Sequence, residues 1–450
     1  MKSSVTRIVR PLLHRERPYL WLIPGLQVKR WFLLMLFGIV LIGLGVGFVL
    51  VEIYREAPLP EIFYYLTLQF LSRPMRAMLV VSTGAVAFFY GWYRLNLTLM
   101  QTVRGNDTQP LVRKLVQQRI ISQGPRIVAI GGGHGLATLL RGLKHYTANI
   151  TAVVTVADDG GSSGRLRREL GVLPPGDFRM CIAALADDES LVTQLMQYRF
   201  STGSGLSGHS FGNLFIAAMA DLTGSFERAI LKSSRVVASQ GRIVPSTLSD
   251  VVLCAEYRAD AELTAIANSR PPSQARGESS IGKVGRPIER VWLDPDQPPA
   301  YPEAIKAILE ADVVVIGPGS LFTSLMPNLL VPGITEALKQ TTALRIYVCN
   351  VATERGETDH FTMSDHVRAI ERHVGANMID IVLAHRPSSS PPSLPEGVTL
   401  VTPEDRVMGS SVRVVHMDIA SADEPWRHDH ERLALAIMQL AERATSKDRG

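Results

Sequence analysis

The sequence predicts an α/β protein with a doubly wound, mostly parallel sheet, preceded by a two-helix transmembrane hairpin. Three observations support this prediction: two long apolar runs lie within the first 97 residues, short β-branched runs then alternate with helical stretches, and glycine-rich turns follow several of those runs. The 450 residues correspond to two or three domains at about 150 residues each. The expected segments are a basic terminus, the hairpin, a polar connector and one large ligand-binding domain, at residues 1–30, 31–97, 98–124 and 125–450.

Two apolar runs near the N-terminus predict the hairpin. Residues 31–53 carry no charge before Glu52, and residues 77–97 are interrupted only by Arg94. About 20 such residues are enough to cross the hydrocarbon core of a bilayer as a helix. A pair of buried core helices is the alternative, but core helices of this length usually keep a polar face.

The charges that flank the apolar runs set the expected orientation. Seven Lys or Arg residues against Glu16 precede the first run, and five, counting Arg94 near the end of the second run, against Asp107 stand on its C-terminal side. The connector at 54–76 is nearly balanced. Because positive flanks stay in the cytoplasm, we expect a multi-pass protein of the inner (plasma) membrane with its main domain inside. This distribution accounts for much of the net charge of +5, and no nucleic-acid-binding motif accompanies it, so we expect no nucleic-acid partner.

Five short strands are expected in the main domain, because continuous β-branched runs between helices are typical of a parallel sheet covered on both faces. They lie at 126–130, 150–156, 312–316, 344–349 and 378–383. A helical stretch at 136–143 follows the first strand. The order is weaker over 224–305, where the composition of 269–280 predicts a flexible loop or insertion, and 387–395 is a second expected loop.

The three cysteines limit the chemistry of the domain. Cys181, Cys254 and Cys349 are far apart in the sequence, and none belongs to a CxxC motif or a Cys/His cluster. A disulfide framework and a structural zinc site are therefore not expected, and a reducing compartment is the simplest interpretation.

Two glycine-rich turns each stand between a strand and a helix, at 131–135 and at 317–320. Turns of this kind bring ligand phosphates close to the backbone N–H groups of a helix N-terminus. The first turn is not the dinucleotide-binding fingerprint, because Leu136 occupies the position of its last glycine. A plain strand-to-helix turn is the alternative, and His134 is as well explained as a turn residue as by ligand contact.

The segment 158–167 follows the second strand and combines two acids, three glycines, two serines and two arginines. This composition suits a polyphosphate, with a divalent cation such as Mg²⁺ on Asp158 and Asp159. An acid at the end of the second strand can also hold ribose hydroxyls. A flexible surface loop is the alternative.

Three further segments carry polar residues next to strands or helices. Asp177 is expected to cap the helix that runs through 182–185, with Arg179 as an additional phosphate contact. His209 and Asn213 stand at the head of an apolar helix, where either could orient a ligand or a proton. Ser210 cannot face its neighbour His209 on a helix, so a catalytic triad is not expected. The segment 349–359 ends the fourth strand.

The order of these motifs is specific. DDGGSSGRLR, PPGDFR, GHSFGN, GPGSLFTSLMPN and CNVATERGETD closely resemble the motifs of the YvcK/GlmR-type gluconeogenesis factors, within the superfamily of 2-phospho-L-lactate transferase (CofD). The resemblance covers about 125–430. It implies a Rossmann-like fold, binding of a UDP-sugar, notably UDP-N-acetylglucosamine, and a role in cell shape and peptidoglycan precursor supply during gluconeogenic growth. The transferase relatives use a guanosine-linked donor with Mg²⁺ in deazaflavin coenzyme synthesis.

The resemblance assigns ligand-site residues position by position. They are Gly132, Gly133, Asp158, Asp159, Gly160, Ser162, Ser163, Arg165, Gly208, His209, Asn213, Gly317, Gly319, Ser320 and Asn350. Met180 departs from the family pattern, in which an asparagine tends to follow the arginine of the PPGD segment.

Two functional hypotheses remain open from the sequence. The first is a non-enzymatic regulator, a homo-oligomer that binds a UDP-sugar and contacts an enzyme of cell-wall precursor synthesis. The second is a transferase that moves a nucleotide-activated group to a small phosphorylated or carboxylate acceptor, with His209 and Asp159 as candidate catalytic residues. Both need the same phosphate site, and catalysis needs in addition a base or metal near the acceptor. The resemblance favours the regulator.

Overall fold

A computed structural model describes residues 121–186, 191–258, 274–386, 394–395, 397–407 and 412–447, together with scattered positions between 37 and 119. The chain divides into two units, Met1–Arg119 and Ile120–Gly450. Every described strand lies in the second unit.

The first unit contains the predicted hairpin, most of which lies outside the described residues. Scattered helical positions occur between 37 and 90, and Phe37, Met78 and Phe89 among them are exposed. None of the helices described in this chain is long and apolar enough to cross a membrane. The basic terminus and positions 98–118 lie wholly outside the described residues, so the hairpin and its orientation remain predictions.

Ten strands are described in the second unit. They are β1 (Ile127–Gly131), β2 (Ile150–Val154), β3 (Arg242–Pro245), β4 (Val252–Tyr257), β5 (Gln274–Arg276), β6 (Ile288–Asp294), β7 (Val313–Ile316), β8 (Leu344–Val348), β9 (Ile381–His385) and β10 (Arg413–Met417). Seven of them form one parallel sheet in the order β10–β9–β8–β7–β1–β2–β3. The predicted α/β fold with a mostly parallel sheet is confirmed.

The main sheet extends in two directions from its centre. The chain adds β2 and then β3 on one side of β1, and later adds β8, β9 and β10 on the far side of β7. The winding reverses between β1 and β7, which are hydrogen-bonded neighbours. In open α/β sheets such a reversal leaves a crevice outside the carboxyl ends of the strands, where ligands bind.

Twelve α-helices are described in the second unit. They are α1 (Gly133–Leu143), α2 (Gly161–Leu170), α3 (Gly176–Leu185), α4 (Leu191–Gln197), α5 (Phe211–Thr223), α6 (Phe226–Val236), α7 (Glu278–Ile281), α8 (Pro302–Leu309), α9 (Met326–Leu329), α10 (Pro332–Gln340), α11 (Met363–Val374) and α12 (His430–Lys447). A π-helical turn, Leu321–Leu325, precedes α9.

Helix α1 shows how the core is built. Leu136, Leu139, Leu140 and Leu143 recur at helical spacing and are completely buried. On another part of the same helix, Gly142 lies so close to the His430 carbonyl of α12 that a Cβ atom would collide with it. The absence of a side chain at Gly142 therefore allows α12 to pack directly onto α1.

A second sheet has three antiparallel strands in the order β5–β4–β6, with Cys254 paired to Trp292 on one side and to Arg276 on the other. The predicted loop at 269–280 is therefore wrong for its second half, which forms β5 and the start of α7. The positions before Gln274 lie outside the described residues. The small sheet matters for function because α7 connects β5 to the site described next.

Candidate functional site

The site begins where β1 and β7 end side by side. Both predicted glycine turns stand there, and a Cβ atom on Gly135 would lie 2.5 Å from the Pro318 carbonyl oxygen. Asn328 Nδ2 fixes the pair by donating to the Gly131 oxygen at 3.0 Å and to the Ser324 oxygen at 2.9 Å. The two turns are therefore packed against each other as one rigid base.

A carboxyl group of the chain itself occupies the first turn. Asp177 lies so close to Gly132 that a Cβ atom there would collide with Oδ2, and it accepts the backbone N–H of Gly133. The predicted capping role of Asp177 is wrong, because α3 already begins at Gly176 and has Pro175 as its N-cap. Burial, followed by the charge of Asp158, raises the pKa of Asp177 to about 7.

A second carboxyl group occupies the turn after β7. Glu357 accepts the backbone N–H groups of Phe322 and Thr323, and Thr323 Oγ1 donates to Glu357 Oε1 at 2.9 Å. The Ser320 hydroxyl bonds to Glu354. Burial, followed by the charge of Glu354, raises the pKa of Glu357 to about 7. Backbone donors of the first glycine turn, and of the π-helical turn that follows the second, thus bind carboxyl groups of the chain itself.

The acidic loop after β2 joins the small sheet to this base. Asp158 Oδ1 accepts the Gly160 N–H at 2.8 Å, while Asp159 Oδ1 accepts the Ser279 N–H at 2.8 Å. Gly277 lies against Asp159 with no room for a Cβ atom. Asp159 therefore holds the start of α7 in place next to the loop.

Between these groups lies a cavity of about 360 Å³, and Asp158, Glu278, Ser320 and Glu357 are among its lining residues. Oε2 of Glu278 and Oε2 of Glu357 are buried and have no hydrogen-bond partner in the described part of the chain. Burial is the largest cause that raises the pKa of Glu278 well above its usual range, and the charge of Asp158 comes next. We call this space the acidic cavity.

The magnesium site predicted at Asp158 and Asp159 stays a prediction. Each of the two carboxylates already accepts a backbone N–H. Among the residues that the structure describes, no group of three or more His, Cys, Asp or Glu side chains is arranged to hold a metal ion.

Three arginines contact the segment 207–213, which leads into α5. Arg165 Nη2 donates to the Ser207 oxygen at 3.0 Å, and Arg199 Nη1 donates to the Gly208 oxygen at 2.6 Å. Arg179 Nε donates to Asn213 Oδ1 at 3.1 Å. None of the three forms a salt bridge that the structure describes. We call these three residues the arginine group.

A series of hydrogen bonds connects the arginine group to His209 through Asn213 and Ser162. Asn213 Nδ2 donates to Ser162 Oγ at 3.1 Å, and Ser162 Oγ lies 2.9 Å from His209 Nδ1. Burial and the charge of Arg165 lower the pKa of His209. Because Ser162 Oγ accepts from Asn213, its hydroxyl hydrogen is available to Nδ1 of the neutral ring. The serine that contacts His209 is thus Ser162, while Ser210 caps α5 by accepting the Asn213 N–H at 3.3 Å.

The carboxyl edge of the sheet brings together the residues predicted after β1, β2 and β7. Asn350, after β8, contacts the site through Glu354, to which its Nδ2 donates at 3.4 Å. No sequence motif pointed to Glu278, which lies in the segment predicted to be a loop. Arg199 was also missed, since its position two residues after α4 carries no motif.

A family model now decides the classification. The model of the CofD family, described as 2-phospho-L-lactate transferase CofD, matches residues 127–420, from β1 to just past β10. The chain belongs to the CofD family.

Curated relatives place this CofD-family protein more narrowly, and confirm the resemblance found from the motifs. The Bacillus subtilis gluconeogenesis factor is 49% identical over 265 residues, which are 59% of this chain and 80% of that protein. A Nostoc protein assigned to the same group is 46% identical over 429 residues, 93% of this chain and 91% of that protein. A crystal structure of a upf0052 family member from Bacillus halodurans shares 42% identity at a TM-score of 0.63, and covers 70% of this chain and 99% of that one.

Proposed function

We propose that this CofD-family protein is a regulator that binds a nucleotide sugar, UDP-N-acetylglucosamine foremost, and does not turn it over. Through a partner enzyme of cell-wall precursor synthesis it would adjust peptidoglycan precursor supply, and with it cell shape, during gluconeogenic growth. The name gluconeogenesis factor, which the Bacillus subtilis relative carries, supports the metabolic setting.

The arginine group is the observation that carries this proposal. Arg165 and Arg199 donate to the Ser207 and Gly208 oxygens and Arg179 donates to Asn213, without a described salt bridge. Burial, followed by the like charge of Arg199, lowers the pKa of Arg179. A guanidinium has five N–H donors, and the contacts above use only one from each residue. A diphosphate would satisfy the remaining donors and relieve the repulsion.

We therefore assign the ligand phosphates to the arginine group rather than to the two glycine turns. The N–H of Gly133 in the first turn already binds Asp177, and the N–H groups of Phe322 and Thr323, just after the second turn, bind Glu357. A phosphate there would have to displace a carboxyl group or share its donors. Of these two carboxyl groups, Glu357 lines the acidic cavity.

The proposed location is the inner face of the plasma membrane, with the main domain in the cytoplasm. This part of the proposal rests on the two apolar runs and on the positive residues that flank them. A sensor of a cell-wall precursor gains from lying where that precursor is consumed. The proposed acting form is a homo-oligomer.

One contact favours a transferase as the second candidate. The Ser162–His209 hydrogen bond resembles a nucleophile paired with a general base, and a hydroxyl placed beside phosphate-binding arginines suits group transfer. Ser162 and His209 are only 5% and 3% exposed, however, which leaves little access for a substrate atom. The pair is better explained as support for the segment that carries the arginine group.

Two assays on the full-length protein separate these functions. Calorimetry should detect binding of UDP-N-acetylglucosamine, and a mixture of UDP- and GDP-linked donors, Mg²⁺ and a metabolite pool should release no nucleotide monophosphate. Release that is lost in His209→Ala or Asp159→Asn would establish the transferase. Failure to bind any nucleotide sugar at millimolar concentration would refute both functions.

A further inference from the structure

Two buried carboxyl oxygens face the acidic cavity without a partner. They are Oε2 of Glu278 and Oε2 of Glu357, and both residues line the same space of about 360 Å³. A buried polar atom without a hydrogen bond carries an energetic cost, and groups of this kind mark places where a partner is still to bind. The partner of a carboxylate oxygen must donate a hydrogen bond or carry positive charge.

The position of Glu278 is fixed from both sides. The preceding residue, Gly277, donates its N–H to the Leu253 oxygen at 2.8 Å, and the following residue, Ser279, donates to Asp159. Tyr257 Oη donates to the Ile281 oxygen at 2.8 Å, which holds the other end of α7. Three hydrogen bonds on its own short helix and turn thus place Glu278 beside the cavity.

The charges around the cavity decide which ligand group fits. After burial, the charged groups that raise the pKa of Glu278 are all acidic: Asp158, Asp177, Glu357 and Asp159. The cationic residues that line the cavity, Lys283 and Arg355, are exposed. Burial and the repulsion of neighbouring acidic groups already raise the pKa of Glu278 and Glu357. An anionic group that entered would add to this repulsion, which is screened weakly in a buried site. In the described part of the chain, no group of three or more His, Cys, Asp or Glu side chains is arranged to hold a metal ion, and the comparison with and without EDTA below tests for a cation directly.

We propose that the acidic cavity binds the uncharged, hydroxyl-bearing ring of the nucleotide sugar and excludes sugar acids, with Glu278 as the residue that sets this discrimination. The inference rests on the proposed function, since it takes the phosphates to lie at the arginine group. Ring hydroxyls supply the donors that Glu278 and Glu357 lack. A carboxylate on the ring would supply only further acceptors.

The test compares UDP, UDP-glucose, UDP-N-acetylglucosamine and UDP-glucuronate by calorimetry on the full-length protein at pH 7.5, with and without EDTA. We expect both neutral sugars to bind at least about tenfold more tightly than UDP, and UDP-glucuronate no more tightly than UDP. In Glu278→Gln, we expect UDP affinity to be unchanged and UDP-glucuronate to bind within about threefold of UDP-glucose. Glu289→Gln, an exposed glutamate on β6, is the matched control and should leave all four affinities unchanged.

Each result bears on the proposal. If UDP-glucuronate binds the unmodified protein as tightly as UDP-glucose, or if Glu278→Gln keeps the original discrimination, the inference is wrong while the proposed function stands. If EDTA abolishes the sugar-dependent gain, the cavity holds a cation instead and the inference is again wrong. If UDP itself does not bind, the proposed function fails as well. A thermal unfolding curve of Glu278→Gln that matches the parent shows that lost discrimination is not caused by misfolding.

Discussion

The backbone N–H of Ser279 donates to Asp159 Oδ1 over 2.8 Å, although the two residues are 120 positions apart in the chain. This bond joins α7 of the small antiparallel sheet to the acidic loop of the main sheet. It thereby sets the wall of the acidic cavity that contains Glu278. A contact between two sheets, rather than a feature of either sheet alone, shapes this part of the site.

Removing this contact should loosen α7. We expect Asp159→Ala to raise amide hydrogen exchange across 277–282 about five- to tenfold, which corresponds to about 1 kcal/mol for one hydrogen bond. Asp159→Asn keeps an acceptor oxygen and should retain most of the protection. Exchange measured by mass spectrometry would contradict this structural role if both variants matched the parent.

The raised pKa of Asp177 predicts how stability depends on pH. A folded-state pKa of about 7, above the unfolded value of about 3.9, means that the folded protein binds the extra proton. The Asp177 carboxyl group therefore lowers the free energy of unfolding progressively as the pH rises from about 4 to 7. Above pH 7 this destabilisation is at its largest. Asp177→Asn should raise the melting temperature more at pH 8 than at pH 5.

The exposed residue Asp296 provides the control for this pH dependence. Asp296→Asn should change the melting temperature by the same small amount at both pH values. An equal effect of Asp177→Asn at pH 5 and pH 8 would show that the Asp177 carboxyl group keeps an ordinary pKa in the folded protein.

The close approach at Gly142 predicts a sharp steric limit. Gly142→Ala places a methyl group against the His430 carbonyl and should lower stability by about 1–3 kcal/mol, because the core is overpacked there. Gly282→Ala is the matched control, since its φ is −67° and its nearest neighbour is 3.9 Å away. Urea unfolding that gave the same stability for both variants would exclude tight packing of α12 on α1.

The membrane orientation is tested by a reporter fused after Gly450. An enzyme that is active only in the cytoplasm should be active in this fusion, because the positive flanks keep both chain ends inside. A reporter that works only outside the cytoplasm should be silent at the same position. The reverse pattern would contradict the predicted hairpin.

The sequence predicted the central strands well because their information is local. Continuous apolar runs identified β1, β2, β7, β8 and β9, and the glycine turns after β1 and β7 stood out by composition. The edge strands β3 and β10 were missed. The first has only four residues and ends in a proline, and the second has no fully buried residue.

The acidic cavity was beyond prediction because it depends on contacts between distant segments. Asp177 was predicted to cap its own helix, whereas the structure turns it toward the glycine turn of another helix. Glu278 lies in a segment whose Pro, Ser, Gly and Arg residues predict a loop. Only the pairing of β5 with β4 brings it to the site.

The most direct test of the central claim is the affinity of arginine-group variants for UDP-N-acetylglucosamine. If the arginine group binds the diphosphate, Arg165→Ala and Arg179→Ala should each weaken calorimetric binding by about 10- to 150-fold, the equivalent of 1.5–3 kcal/mol for a charged hydrogen bond. Arg235→Ala, at an exposed position in the last turn of α6, should bind like the parent. Unchanged affinity in both Arg165→Ala and Arg179→Ala would contradict the claim that these residues hold the ligand phosphates.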